Sequence, residues 1–328
     1  MFICLLIEFY TNLQNFLIHI YDFSHKSIQK RHLVLLSMVC FIKLNAQVKH
    51  VSLPEIAPVQ VKQIAQLDTL IHKETSGIVK STIYNGVYWV HNDSGDTPRV
   101  IPINRNGEIV QSYRYGTNEG QFIGDAVNMD WEEIMKDDEG NLIVADYGNN
   151  CNCRRDLVFY YIRETDPIQR NNRVFKKIFF KYPDQKQFTK EGEDYNFDSE
   201  GAFFAHGKIY LLSKNRSNTY TKLYRLDTYD SDAVNTLTLL DTFDVKGKVT
   251  GADVSADGKT LAVLTYSGVW LFKAKNKDDY FYGDISWLPI DASGMEGICF
   301  DDEETLLLSR EPTGTLHELK ISELKKVR

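Results

Sequence analysis

The sequence lacks the short signatures by which many enzymes are known. It has no Gly-x-Ser-x-Gly elbow, no His-Glu-x-x-His pair and no glycine-rich phosphate loop, so the chemistry those motifs supply is excluded. It lacks a basic excess: 38 Lys and Arg stand against 45 Asp and Glu, a net charge of −7. With no global positive field to hold phosphate backbones, a nucleic acid polymer is excluded as partner, although a local basic pocket is not. Five cysteines in 328 residues are too few for a disulfide-built scaffold. Long amphipathic helix patterns are missing, apart from a terminal turn near Glu323-Leu324. What remains, at 43% apolar and 25% charged residues, is ordinary for a soluble globular chain with a large core.

The N-terminus differs in kind. Lys30-Arg31-His32 precedes the apolar run Leu33–Ile42, and Leu44-Asn45-Ala46-Gln47 follows. A basic flank, a short apolar run and a small residue at its end describe an export signal cleaved after Ala46. The run is too short for a stable membrane span in the mature protein. Residues 1–46 are therefore read as a targeting segment with an over-long start, and the product as secreted or periplasmic and monomeric. A first membrane helix upstream of about Ser27 and a lipid anchor through Cys40 are the competing readings. Ser52-Leu53-Pro54 and Ala57-Pro58 make 47–59 a linker, and 60–328 is the folded domain. Cys299 lies in an apolar strand and reads as a core thiol. Cys151 and Cys153, two apart in a loop, suit a disulfide better than a metal site.

Within the domain one phrase recurs five times: Ser76-Gly77-Ile78, Glu132-Glu133-Ile134, Glu200-Gly201-Ala202, Thr250-Gly251-Ala252 and Glu296-Gly297-Ile298. Each copy opens an apolar stretch, then comes a tight turn such as Asn85-Gly86 or Asp257-Gly258, then a second apolar run. Strand-and-turn repeats at this period predict an all-β fold, a β-propeller. Five blades are expected, or six if the long interval from Glu132 to Glu200 hides a degenerate copy. Ile64-Ala65-Gln66-Leu67 has no blade of its own, and it is expected to supply the last outer strand and close the ring.

In a propeller the start of each innermost strand and the end of the next lie at one face. The first phrase positions then form an inner ring of Ser76, Glu132, Glu200, Thr250 and Glu296. The following strand ends give an outer set that includes Asp93, Asp146, Lys214 and Arg310, with Arg155 nearby. Three converging carboxylates call for compensation. An all-oxygen set without His or Cys favours a hard cation, calcium, over zinc or copper. The competing reading has the ring residues capping strands only. His91 is a weak candidate base, because strand alternation turns it into the packing.

The ordered ring Ser, Glu, Glu, Thr, Glu resembles the calcium-activated nucleotidase (apyrase) propellers, with Thr250 in place of Ser. The resemblance implies calcium held by Ser76, Glu132, Glu200, Thr250 and Glu296. The phrases His91-Asn92-Asp93-Ser94-Gly95, Asp130-Trp131-Glu132 and Asp146-Tyr147-Gly148-Asn149-Asn150 are also similar to a group of uncharacterised secreted bacterial propellers, and phytase-like and esterase-like propellers are more weakly similar. The expected function is hydrolysis of a phosphoanhydride or phosphate ester in a small anionic substrate, with Asp93, Asp146, Arg155, Lys214 and Arg310 as the catalytic set. The alternative is a noncatalytic propeller that binds a glycan, peptide or protein partner, with a structural metal.

Overall fold

Strands follow from short runs of β-branched and aromatic residues punctuated by turns that need a left-handed residue, such as Asp257-Gly258 with Gly258 at φ 71°. The computed structural model describes residues 48–69, 71, 74–110 and 120–328. The targeting segment lies outside the described residues. Strand β1 (Lys62–Gln66) comes first. Then follow β2 (Thr75–Lys80), β3 (Tyr88–Asn92), β4 (Arg99–Ile103) and β5 (Gln121–Gly124). The next group is β6 (Trp131–Lys136), β7 (Asn141–Asp146), β8 (Val158–Arg163) and the eleven-residue β9 (Asn171–Lys181). After it come β10 (Ser199–Ala205), β11 (Lys208–Ser213), β12 (Tyr220–Arg225), the short β13 (Asn235–Thr236) and β14 (Thr238–Asp244). Strands β15 (Val249–Val254), β16 (Thr260–Thr265), β17 (Gly268–Lys273) and β18 (Asp284–Leu288) precede β19 (Met295–Asp302), β20 (Thr305–Arg310), β21 (Thr315–Lys320) and β22 (Lys325–Lys326).

Among the described residues the strands form two four-stranded sheets, β1-β21-β20-β19 and β10-β11-β12-β14, a five-stranded sheet β15-β16-β17-β18-β22, and a nine-stranded sheet in which β2–β5 and β6–β9 are joined through β5 and β9, with β13 also on β9. Each phrase opens the innermost strand of its blade: β2, β6, β10, β15 and β19. These inner strands pack in a closed cycle, β2 on β6, β6 on β10, β10 on β15, β15 on β19, and β19 back on β2. The fold is a β-propeller. The long interval after Glu132 builds β6 to β9 and a loop ending in a single 3-10 turn, Gly192–Tyr195. Parallel pairing of β5 with β9 joins the outer edges of the first two blades.

The apolar core lies between blades. Trp89 and Trp131 pack the first blade on the second, and Phe159, Phe180 and Tyr224 the second on the third. Phe203, Phe243 and Trp270 fill the next gap, and Leu264 and Leu308 the one after. Cys299, Ile78 and Leu316 complete the circuit, so Cys299 is the core thiol that its strand implied. Burial of this kind contributes about 25 cal/mol per Å2 of apolar surface, and a closed ring gives both faces of every sheet a partner.

Closure runs as the sequence implied. Strand β1 pairs antiparallel with β21 as the outer strand of the last blade. Residues 48–59, expected to be a linker, are laid against the propeller. Lys49 exchanges backbone hydrogen bonds with Thr242 and Asp244 at 3.1 and 2.9 Å, and Val59 donates to Pro289 at 2.9 Å. Val51 and Leu53 pack on the core between the third and fourth blades.

A polar clasp crosses the closure seam. Arg105 of the first blade donates to Asp301 at 2.9 Å and to Glu318 at 2.6 Å, both on the last blade. Lys80 adds a 2.9 Å bond to Asp301, and Tyr88 donates to the same carboxylate. Although burial opposes it, Tyr88, Lys80 and Arg105 together hold Asp301 down at about 2. Lys62 and Arg105 hold Glu318 at about 2. Both folded values lie below the ordinary carboxylate range, so the clasp is fully stabilising above that range and is lost as pH falls through about 2. Arg105→Ala is expected to lower Tm at pH 7 by about 2–4 °C. The gap between variant and wild type should close as thermal melts are repeated toward pH 2; a gap independent of pH would refute the clasp.

Candidate metal centre

The first residue of every phrase copy falls at a break in strand register. Trp131 pairs with Asp146 and Glu133 with Ala145, which leaves Glu132 without an opposite residue. Glu200, Thr250 and Glu296 are skipped in the same way on β10, β15 and β19. Ser76 falls in the corresponding break on β2. Each is a β-bulge, a device that re-aims a side chain. It occurs here at the same end of every inner strand.

The second phrase position explains why the bulge is needed. A Cβ at Gly251 would sit 2.5 Å from the Glu296 carbonyl oxygen, and one at Gly297 would sit 2.7 Å from that of Ser76. Inner strands approach backbone to backbone there, and only glycine fits. The second blade breaks this rule with Glu133. Its fully buried carboxylate accepts the Ile134 N–H at 3.0 Å and, across the ring, the Ala252 N–H at 3.1 Å.

The inner ring is only partly a cluster of free oxygens. Ser76 donates to the Glu132 carbonyl at 3.1 Å and Thr250 to the Met295 carbonyl at 2.9 Å. Both hydroxyls thus tie neighbouring strands and keep oxygen lone pairs in reserve. Glu132 is buried, and its carboxylate oxygen lies within 4.8 Å of oxygens from Asp93 and Asp130, each of the three within that distance of the others. Gly148 passes so close that any side chain there would collide with Asp130 and Glu132. Glu200 pairs with Lys214 and lies 3.6 Å from Arg216. A second trio, Glu74, Asp93 and Glu311, shares Asp93 with the first.

The outer set divides. Asp93 belongs to both trios, and Lys214 is buried against Glu200. Asp146 is buried, accepting the Asp130 N–H at 3.1 Å and the Arg154 guanidinium at 2.8 Å. Arg155, one residue on, is exposed and lies over the Phe188 ring at 3.7 Å. Arg154 is therefore the cation at this loop. Arg310 donates to the Asp291 carbonyl. His91 is buried edge-on to Trp131 at 5.7 Å, and burial lowers it to about 4. The Cys151–Cys153 disulfide is formed, with Cα atoms 5.1 Å apart.

Three site residues were not singled out from sequence: Asp130, Asp198 and Glu311. Asp198 is buried, accepts the Asn149 N–H at 2.7 Å and holds Arg216. A signal for two of them was present. Asp130-Trp131-Glu132 and Asp198-Ser199-Glu200 share one spacing, an acid two residues before the phrase.

Burial and mutual repulsion raise the acids together. Burial, then Glu200 and Asp93, hold Glu132 well above the carboxylate range. Burial, then Asp93 and Asp198, push Asp130 up to about 7. Burial, then Glu296 and Asp93, push Glu311 to about 8. Although burial opposes it, Glu200 and Glu296 hold Lys214 above the lysine range. The buried Tyr147 hydroxyl has no hydrogen-bond partner among the described residues and lies near Glu133, Glu132 and Glu200.

No protein-family model and no curated protein matches the sequence. Solved structures are similar at low identity. Virginiamycin B lyase from Staphylococcus aureus matches with a TM-score of 0.38 and 16% identity over 75% of this chain and 66% of that one. This chain therefore spans just under two thirds of the lyase's length. A putative 6-phosphogluconolactonase from Bacteroides uniformis gives a TM-score of 0.38 and 12% identity over 77% and 70%. A functionally unknown protein from Desulfotomaculum acetoxidans gives 0.39 and 14% over 77% and 71%. Identities this low say nothing about chemistry.

The close approach of the inner strands is directly testable. Gly251→Ala is expected to cost about 1–3 kcal/mol through overpacking alone, read as a lower urea midpoint. Wild-type stability in this variant would show that the strands are not held at backbone contact.

Proposed function

We propose that the protein is an exported calcium-binding β-propeller whose ion sits at the mouth of the ring and whose working face surrounds it. One observation carries this reading: Glu132, set at the bulge that opens its inner strand, meets Asp93 and Asp130 in one acidic cluster. Oxygens of Asp93, Asp130 and Glu132 lie within 4.8 Å of one another, a spacing compatible with one ion bound at about 2.3–2.6 Å by each. Glu200, Glu296, Ser76 and Thr250 open the neighbouring inner strands, and the reading would draw its further oxygens from them. The donor set holds no His or Cys, which suits calcium over zinc or copper. Export rests on the basic flank and apolar run before Ala46, and the Cys151–Cys153 disulfide fits an oxidising compartment. No helix among the described residues is long and apolar enough to cross a membrane.

A bound calcium ion would polarise an oxygen of an anionic ligand and so support hydrolysis of a phosphoanhydride or phosphate ester. The residues around it are less suited to anchoring a phosphate. Lys214 is committed to Glu200, Arg216 to Asp198, Arg154 to Asp146, and Arg310 to the Asp291 carbonyl. The committed cations favour the second reading, a metal-stabilised propeller that binds a ligand without transforming it.

Calcium about 100-fold above its Kd is expected to raise Tm by about 5 °C or more. In Glu132→Gln and Asp93→Asn the calcium-free Tm should be retained and the calcium shift lost. Arg155→Ala should keep that shift. An unchanged calcium shift in Glu132→Gln would overturn the metal assignment. Calcium-dependent phosphate release from p-nitrophenyl phosphate or ATP would establish hydrolysis; a calcium shift with no release leaves the binding reading standing and removes the hydrolase.

A further inference from the structure

Beside the acidic centre lies a cleft of about 710 Å3, with Glu296 at its boundary with the ring. Its lining includes Pro58 from the N-terminal stretch, Tyr266 from the β16–β17 turn, and Ile290, Asp291 and Ser293 from the segment between β18 and β19. The volume falls in the range of small-ligand sites. Ile290 is buried and belongs to the core between the last two blades, so this part of the wall is apolar and fixed. Tyr266 is 47% exposed. Its ring is nevertheless held, because the Lys214 ammonium lies 4.9 Å from the ring centroid. An exposed aromatic ring that is already oriented makes a stacking surface at small entropic cost.

The two carboxylates of the cleft differ in compensation: Asp291 faces Arg310, whereas Glu296 shares Lys214 with Glu200 and also faces Asp93 and Glu311. The Asp291 carboxylate lies 3.7 Å from the Arg310 guanidinium. Lys214 is the largest charge acting on Glu296. A strongly anionic occupant would meet two carboxylates, and a cationic one would compete with Arg310 and Lys214. The polar groups that remain are carboxylate and hydroxyl oxygens, which call for hydroxyl donors. The walls that remain, Tyr266, Pro58 and Ile290, call for an apolar face. A pyranose ring carries both, with C–H bonds on its face and hydroxyls at its rim.

We propose that this cleft binds a neutral sugar ring, stacked on Tyr266 and hydrogen-bonded through its hydroxyls to Asp291, Ser293 and Glu296. The site rests on the ligand-binding reading and gives it a ligand class; it shares Glu296 with the proposed calcium ring, and Lys214 reaches both. Saturation-transfer NMR on the purified protein tests it, with methyl β-D-glucopyranoside, methyl β-D-galactopyranoside, methyl α-D-mannopyranoside and cellobiose as probes. Benzylamine and p-nitrophenyl phosphate stand for the cationic and anionic classes. At least one glycoside should receive saturation mainly on the protons of one ring face. Tyr266→Ala should weaken it by about tenfold or more, and Tyr266→Phe should retain most of the binding. Ser293→Trp, at an exposed position on the cleft rim, should block binding with Tm unchanged. Absence of transfer to every glycoside, transfer that survives Tyr266→Ala, or preferred binding of benzylamine or p-nitrophenyl phosphate would each overturn the proposal. The calcium shift in Tm, measured on the same samples, separates the two readings: loss of sugar binding with the shift intact counts against the cleft alone.

Discussion

Backbone contact between neighbouring inner strands is the constraint on which the rest depends. Where β15 meets β19, and β19 meets β2, there is no room for a Cβ at the second phrase position. Glycine there is steric necessity rather than flexibility. With that position given to contact, the preceding residue is displaced from the ladder as a bulge. A regular strand would alternate its side chains between the two sheet faces. Here the bulge sets one side chain per blade apart from that alternation, at the same end of every inner strand. Glu133 is the exception, and it converts the crowding into a bond, reaching the Ala252 N–H across the ring. A buried carboxylate is tolerable there because backbone donors meet it.

The same crowding creates the electrostatics of the mouth. Asp93, Asp130, Asp198, Glu132, Glu200 and Glu296 are drawn together by the ring, whereas Lys214, Arg216 and Arg154 arrive from strand ends and loops and neutralise particular partners. Acids outnumber cations, and burial raises the cost of each remaining charge. Protonation is one relief and a hard cation another, and the two compete for the same oxygens.

Much of the fold was legible in the sequence because propeller hairpins advertise themselves locally. The apolar runs Leu142-Ile143-Val144 and Leu261-Ala262-Val263-Leu264 follow their turns and become β7 and β16. Outer strands were harder: β5 and β14 carry exposed and polar residues, Thr238, Asp241 and Asp244 among them, and their patterns are too mixed to stand out. The bulges were not legible at all, since register is a property of two strands and the phrase lies on one. The ring residues were nevertheless chosen, because their recurrence reflects the constraint even where its mechanism is hidden. The choice of Arg155 over Arg154 shows the limit. Neighbouring residues in a loop differ by a turn of backbone that no pattern encodes; one reaches Asp146 and the other lies over Phe188. Residues 48–59 look like a tether because proline breaks their pattern, yet β14 and the β18–β19 segment offer backbone partners that only the tertiary fold provides.

The two ends of the inner strands show why the mouth, and not the ring as a whole, is the place to look for function. At the far end, charged groups act as ties. Lys136 donates to the Lys80 carbonyl at 2.9 Å, Asp253 accepts the Phe300 N–H at 2.8 Å, and Asp301 closes the clasp with Arg105, Lys80 and Tyr88. Each of these three charges has a donor or acceptor on a neighbouring blade. At the mouth the carboxylates of Asp93, Asp130 and Glu132 face one another instead. Acids that tie blades explain themselves by stability, whereas acids that face one another lower it unless something shares them. The carboxylates are thus sorted between the two ends of the inner strands, as ties between blades at one and as a mutually facing cluster at the other.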